Sequence, residues 1–141
     1  MNNILIDTCF WYALYNPGDQ YYQKAQKMID YLEFGNIIIP YPTLHETLNT
    51  KFVSRKDWSV SFNNILNRDS TIFIDDKDYK AKALKLTLDN AITAKRPMSL
   101  VDIIIRLILD DVNVKTDAII TFNIKDFIDV CVSKNIELID K

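Results

Sequence analysis

The sequence predicts a single doubly wound α/β domain, a central parallel sheet of four to five strands with helices on both faces. Three observations predict it. Short apolar, β-branched runs stop abruptly at a polar residue or a proline. Segments with helical apolar spacing separate those runs. No repeat, low-complexity tract or Ser/Gly/Pro-rich linker divides the 141 residues. Strands buried on both faces that alternate with helices pack as a parallel sheet. The length is that of one ordinary domain, so residues 1–141 are expected to form one unit.

The elements follow in order. Ile4-Leu5-Ile6 reads as a buried strand ending at Asp7. Phe10, Trp11, Tyr12 and Tyr15 cluster on a first helix behind it, followed by Tyr21 and Tyr22. Asp19 is suited to cap a second helix with Tyr22, Ala25, Met28, Ile29 and Leu32 on one face. Ile37-Ile38-Ile39 is a strand bounded by Gly35-Asn36 and Pro40. Pro42 suits the first turn of a helix to Val53 with Leu44, Leu48 and Phe52 on one side. A helix over Lys56 to Asn67 carries Trp58 and Phe62, and Thr71 to Ile74 makes the third strand. From about Asp76 to Ile92 a helix buries Tyr79, Ala83, Leu86 and Leu88. Ser99 caps the most apolar helix, Leu100 to about Val112, with Asp102 at its third position, a variant of the capping box. Ala118-Ile119-Ile120 is the fourth strand, Ile124 to Val132 a short helix, and Ile136-Glu137-Leu138 an edge strand.

Composition removes several classes of function. Seventeen Lys and Arg against nineteen Asp and Glu give a net charge of −2, which is not the basic surplus of a protein that holds nucleic acid by charge alone. No stretch approaches the roughly 20 apolar residues of a membrane span, and the N-terminus lacks the basic segment of a signal peptide. Cys9, Cys131 and the single His45 have no partners at zinc-ligand spacing, so a reducing cytoplasm is the expected home. With Gly18 and Gly35 as the only glycines, dinucleotide and P-loop fingerprints are excluded.

Function in open parallel sheets collects beyond the carboxyl ends of the strands. Asp7-Thr8 follows the first strand directly, and Thr121-Phe122-Asn123-Ile124-Lys125-Asp126-Phe127 follows the fourth. Strand-ending turns and helix caps account for these residue types equally well. Asp102 is more informative. It and Arg106 are the only polar residues between Leu100 and Leu109, four apart on one stripe of a core helix. A buried, unpaired carboxylate costs several kcal/mol; either the two pair internally, or Asp102 faces a cleft that needs a cation. Glu46 lies opposite Leu44 and Leu48, beside Thr43, Asn49 and Thr50, where a solvated glutamate is equally ordinary. Asp117, Asp75, Asp76, Asp78, Asp110, Asp111, Asp129 and Asp140 read as structural or surface charges.

The sequence resembles the PIN-domain nucleases, and among them the small stand-alone VapC-like ribonucleases that are the toxin half of toxin–antitoxin pairs. The matching pieces run in family order over the whole chain: Ile4-Leu5-Ile6-Asp7-Thr8, Leu44-His45-Glu46-Thr47-Leu48, Ser99-Leu100-Val101-Asp102-Ile103-Ile104, and Asp117 through Phe127. The resemblance implies a PIN-like fold and a metal-dependent endoribonuclease, in which Asp7, Glu46 and Asp102 hold Mg²⁺ or Mn²⁺. A fourth acid would come from the segment after Thr121. There the chain departs from the common pattern, with Asn123 where the family often has Asp; Asn123 ligating through its carbonyl, or Asp126, would complete the site. Carboxylates are hard oxygen donors suited to these ions, and a metal-activated water needs neither histidine nor nucleophilic serine.

Thr8 and Thr121 are candidates to position a ligand or water, and Arg106 to pair Asp102 when the metal is absent. Lys51, Arg55, Lys95, Arg96 and Lys125 are candidates for phosphate contacts. Implied partners are RNA, a small antitoxin whose extended segment covers the cleft, and a second copy of the chain, with the tyrosine- and tryptophan-rich surface as docking site or simply as core. The competing reading is a PIN-like domain that binds RNA or protein without cutting. Another phosphoryl-transfer family fits poorly, since Asp7-Thr8-Cys9 lacks a second acid.

Overall fold

The computed structural model describes residues 2–93 and 96–141, so Lys95 lies outside the described residues. Five parallel strands form one sheet in the order β3-β2-β1-β4-β5. They are β1 (Asn3–Ile6), β2 (Asn36–Pro40), β3 (Thr71–Ile74), β4 (Ala118–Ile120) and β5 (Glu137–Ile139). The first half of the chain builds outward from β1 to β3, and the chain then crosses over to lay β4 on the other side of β1. The order therefore reverses between β1 and β4, where Ile6 stands beside Ile120. Ligand crevices in open α/β sheets form at such a reversal, beyond the carboxyl ends of the strands.

Side chains alternate across a strand, which sorts the core into two layers. Ile4, Ile6, Ile37, Ile39 and Ile120 pack beneath α1 (Thr8–Tyr15), α2 (Tyr22–Lys27), α3 (Ile29–Phe34), α4 (Tyr41–Thr47), α5 (Thr50–Val53) and α6 (Lys56–Leu66). Leu5, Ile38 and Ile119 pack beneath α7 (Lys80–Ile92), α8 (Leu100–Asp110) and α9 (Ile124–Lys134). The expected sheet with helices on both faces is what the chain forms.

Several local expectations change. The predicted helix after Asp19 is two helices that meet at Met28, and Asp19 does not cap either. Its Oδ1 instead accepts from Tyr21 N at 2.8 Å and closes a turn. The predicted helix from Pro42 to Val53 also divides, because Asn49 leaves the helical conformation and caps α5 by accepting from Phe52 N at 3.0 Å. That break turns Leu48 away from the core, where it is 40 % exposed, while Phe52 is fully buried. In α7, Ala83 is buried and Tyr79 and Leu86 are half-buried, but Leu88 faces solvent. β3 is an edge strand with Ile72 and Phe73 exposed, so it is not covered on both faces. β5 is the other edge, as expected, one residue later than predicted. α9 ends on Asn135 in the left-handed conformation, φ 56°, a common helix stop.

Among the described residues no helix is long and apolar enough to cross a membrane.

Candidate active site

Asp7 stands at the sheet reversal for a reason visible in its backbone. It is the first residue beyond β1, its N–H donates to Ile120 O of β4 at 3.1 Å, and it caps α1 through Thr8 N to Oδ1 at 2.8 Å. The cap uses one carboxylate oxygen only. The other, Oδ2, accepts from Thr121 Oγ1 at 2.8 Å, Cys9 Sγ at 3.5 Å and Asn123 Nδ2 at 3.5 Å. Asp7 is 3 % exposed. Every donor named is neutral, and burial pushes its pKa up despite these bonds. A carboxylate so buried, with no cation among its described partners, is an unusual expense for a helix cap.

Thr121 ends β4 fully buried, and its hydroxyl bridges Asp7 and the backbone of Asn123, whose N–H donates to it at 3.0 Å. Asn123 thus turns its amide nitrogen to Asp7. This differs from an asparagine that offers its carbonyl to an ion: the side chain acts here as a hydrogen-bond donor to the acid beside it.

Glu46 is not a free helix glutamate. Thr8 Oγ1 donates to its Oε1 at 2.7 Å, tying α4 to the start of α1. Its backbone is held as well: Tyr12 Oη donates to Glu46 O at 3.1 Å or Thr47 O at 3.2 Å and accepts from Asn49 Nδ2. Thr43 and Thr47 return their hydroxyls to the carbonyls of Pro40 and Thr43, so this buried side of the helix leaves no unsatisfied hydroxyl.

Asp102 sits in the first turn of α8, and Ser99 caps that helix by accepting from Asp102 N at 3.1 Å. Its carboxyl is pushed up to about 6, first by burial, then by the charges of Asp7, Asp126 and Glu46, with the Ser99 hydrogen bond working against them. Asp102 therefore feels acids from three other elements across the switch point. The expected Asp102–Arg106 pair does not form. Arg106 turns to α9, where Nη1 and Nη2 reach Asp129 Oδ1 and Oδ2 at 2.6 and 2.8 Å and Nη1 also donates to Asp126 O at 2.8 Å. Asp129 on the adjacent helix offers both oxygens to the planar guanidinium, a two-point match that prevails over the i,i+4 neighbour.

Asp126, in the first turn of α9, is paired with Arg96. Arg96 Nη1 also lies 3.4 Å from Lys125 O. Of the other cations considered, Lys51 is exposed on α5 and Arg55 lies over the Trp58 ring at 5.2 Å. Two clefts flank Asn123, one of about 300 Å³ lined by Arg96, Phe122, Lys125 and Asp126, the other of about 550 Å³ lined by Cys9, Tyr12 and Tyr21. Among the described residues no three of the His, Cys, Asp and Glu side chains stand close enough to enclose an ion as arranged.

From the sequence, Cys9, Tyr12 and Asn49 carry no site role and Asp129 reads as a surface charge. Cys9 lies two residues after Asp7, yet that spacing alone carries no signal. The roles of Tyr12, Asn49 and Asp129 arise from contacts more than twenty residues away or across a helix break.

The raised carboxyls make stability depend on pH. Asp102 titrates near 3.8 in an unfolded chain and near 6 when folded, so the folded state holds that proton more tightly. Stability is then expected to fall as pH rises from about 4 to 6, by no more than about 1–2 kcal/mol because the group is partly solvated. Asp129, lowered to about 2 by Arg106, acts in the opposite sense and only below about 4. Urea denaturation between pH 4 and 7.5 checks this. Asp102→Asn should flatten the decline, and an unchanged slope would show that Asp102 is not the group responsible.

No family model and no curated protein matches the sequence. Among solved structures, the chain superposes on VapC20 of Mycobacterium tuberculosis, a sarcin-ricin loop cleaving toxin. The TM-score is 0.67, with 19 % identity over 87 % of this chain and 92 % of that one. With β1 and β4 adjacent at the reversal and helices on both faces, the chain has the α/β fold of VapC20, the PIN-like fold that the sequence resemblance implies.

Proposed function

We propose that the protein is a divalent-cation-dependent endoribonuclease, the toxin of a type II toxin–antitoxin pair acting in the cytoplasm. The observation that carries this reading is the acidic surroundings of Asp102, whose ionised form is disfavoured by Asp7, Asp126 and Glu46 at the switch point of a VapC-like fold. Such a cluster is costly unless a cation neutralises it. The donor set is suitable: carboxylate oxygens match Mg²⁺ or Mn²⁺, and Mg²⁺ is commonly held by one or two carboxylates with waters completing the shell. Among the described residues no three acids enclose an ion as arranged, so waters would have to complete the shell. Asp7, Glu46, Asp102 and Asp126 would hold the ion, with Asn123 beside them. When bound, it supplies a water of lowered pKa and neutralises charge on the phosphoryl oxygens.

The remaining work belongs to the chain. Thr8 orients Glu46, and Thr121 and Cys9 orient Asp7, each by one hydrogen bond. Arg96 and Lys125 border the cleft where RNA phosphates would lie. An extended antitoxin segment would cover the acidic cleft, and the separate groove of about 500 Å³ between α1–α3 and α6, lined by Tyr15, Tyr22, Ile29 and Trp58, suits an antitoxin helix. Phe10, Trp11 and Phe62 behind it are core. A second reading, a domain that binds RNA or protein without cutting, has support from Arg96 on Asp126 and from Asn123.

Purified protein should cut RNA oligonucleotides only with Mg²⁺ or Mn²⁺ present, and Asp7→Asn should lose the cleavage while keeping its circular dichroism. Cleavage by Asp7→Asn at the wild-type rate would sink the enzyme assignment, and RNA binding without any cleavage would favour the second reading. Because cation binding requires ionised carboxylates, Mn²⁺ affinity should rise as pH increases through about 6. Calorimetric titration at pH 5.5 and 7.5 tests this, and equal affinities at the two would count against Asp102 as a ligand.

A further inference from the structure

The seam between α8 and α9 is a ladder of charges. Asp102, Arg106 and Asp110 follow one another at four-residue steps along α8, on one stripe. Asp126, Asp129 and Lys134 descend α9 beside them. The lower rungs attract: Arg106 with Asp129, both oxygens engaged, and Lys134 with Asp110 at 3.4 Å. At the top rung Asp126, paired with Arg96, stands among the acids near Asp102. The fork of Arg106 on Asp129 and on the Asp126 carbonyl ties α9 to α8 one helical turn below two of the proposed cation ligands.

We propose that Arg106 is a positioning residue for the cation site, fixing Asp126 of α9 against Asp102 of α8 with Asp129 as its anchor. The inference rests on the cation-dependent reading above. Arg106 engages the α9 backbone at Asp126 itself, through Nη1 to the carbonyl at 2.8 Å, so it sets the height of the residue as well as its charge. The Arg106 side chain is one-quarter exposed, and its rigid fork spends two donors on Asp129 while one of them also serves the carbonyl. A lysine ammonium at this position lacks the planar fork. The Lys134–Asp110 pair lies on the same seam at similar exposure and engages no proposed cation ligand, so it serves as an internal control.

The test uses the full chain and Mn²⁺ alone, read by calorimetric titration, with RNA cleavage measured separately. Arg106→Gln and Asp129→Asn are each expected to weaken Mn²⁺ binding by about 10- to 100-fold, the loss typical when a group orienting a metal ligand is removed. Their melting temperatures should stay within about 4 °C of wild type. Arg106→Lys should recover part of the affinity, the double variant should lose no more than either single one, and Asp110→Asn should bind Mn²⁺ as wild type does. Wild-type affinity in Arg106→Gln, or an equal loss in Asp110→Asn, overturns the proposal, as does a wild-type protein that binds no Mn²⁺. A wild type that binds Mn²⁺ with this pattern yet cuts no RNA supports the positioning role and defeats the nuclease reading instead.

Discussion

Asp102→Asn is expected to lower RNA cleavage by roughly 10²- to 10³-fold, the scale on which removal of one electrostatic contributor acts at an enzyme active site. The same variant should melt at or slightly above the wild-type temperature in metal-free buffer. Both halves follow from one observation. The Asp102 carboxyl is driven up to about 6 by burial and by Asp7, Asp126 and Glu46, so ionising it costs stability. Asparagine keeps the shape and removes the charge. Activity lost with stability kept or gained is the mark of a residue retained for function at the expense of folding. Single-turnover cleavage with Mn²⁺, run beside a thermal melt, reads both. A variant that unfolds would identify Asp102 as structural, and one that cuts normally would remove it from the site.

The second large effect concerns Phe52. It is fully buried on the four-residue helix α5 and meets Tyr12, Tyr15, Trp58 and Phe62 at ring separations of 5.9, 5.7, 5.5 and 5.6 Å, all steeply inclined. Edge-to-face packing of this kind adds to the burial of each ring. Phe52→Ala should cost about 3–5 kcal/mol, a large share of the roughly 5–15 kcal/mol that stabilises an ordinary domain. Urea denaturation at constant slope measures it. The loss should also reach the site: Tyr12 leans on Phe52 and its hydroxyl serves the carbonyls of Glu46 and Thr47, so the folded variant should cut RNA more slowly. A cost below about 1 kcal/mol, the scale of an ordinary substitution, would mean the cluster repacks around the missing ring.

Much of this was legible in the chain itself. The apolar runs at Ile4–Ile6, Ile37–Ile39 and Ala118–Ile120 were recognisable because a strand covered on both faces must be apolar throughout. Asp7 and Thr121 were recognisable because polarity begins abruptly at those strand ends. The helix breaks at Met28 and at Leu48–Asn49 were not, since apolar spacing continues through both. At the second, the capping hydrogen bond of Asn49 prevails over the periodicity. Arg106 was legible as a cation on an apolar core helix, though its partner was not. Asp102 lies nearest in sequence, and Asp129 is reached only once α9 packs alongside.

The sequence by itself determined the layers of this protein, the strand ends that bear its acids and the hard-oxygen character of its donors, because periodicity, capping and composition are local properties. Tertiary structure decided which charges meet. It sets Asp7 against Thr121 across the β1–β4 reversal, ties Glu46 to Thr8, and gives Arg106 to Asp129 rather than to Asp102. The physical reason is range: a hydrogen bond or an ion pair acts over a few ångströms, and residues more than twenty positions apart come within that distance only through the packing of the sheet and its helices.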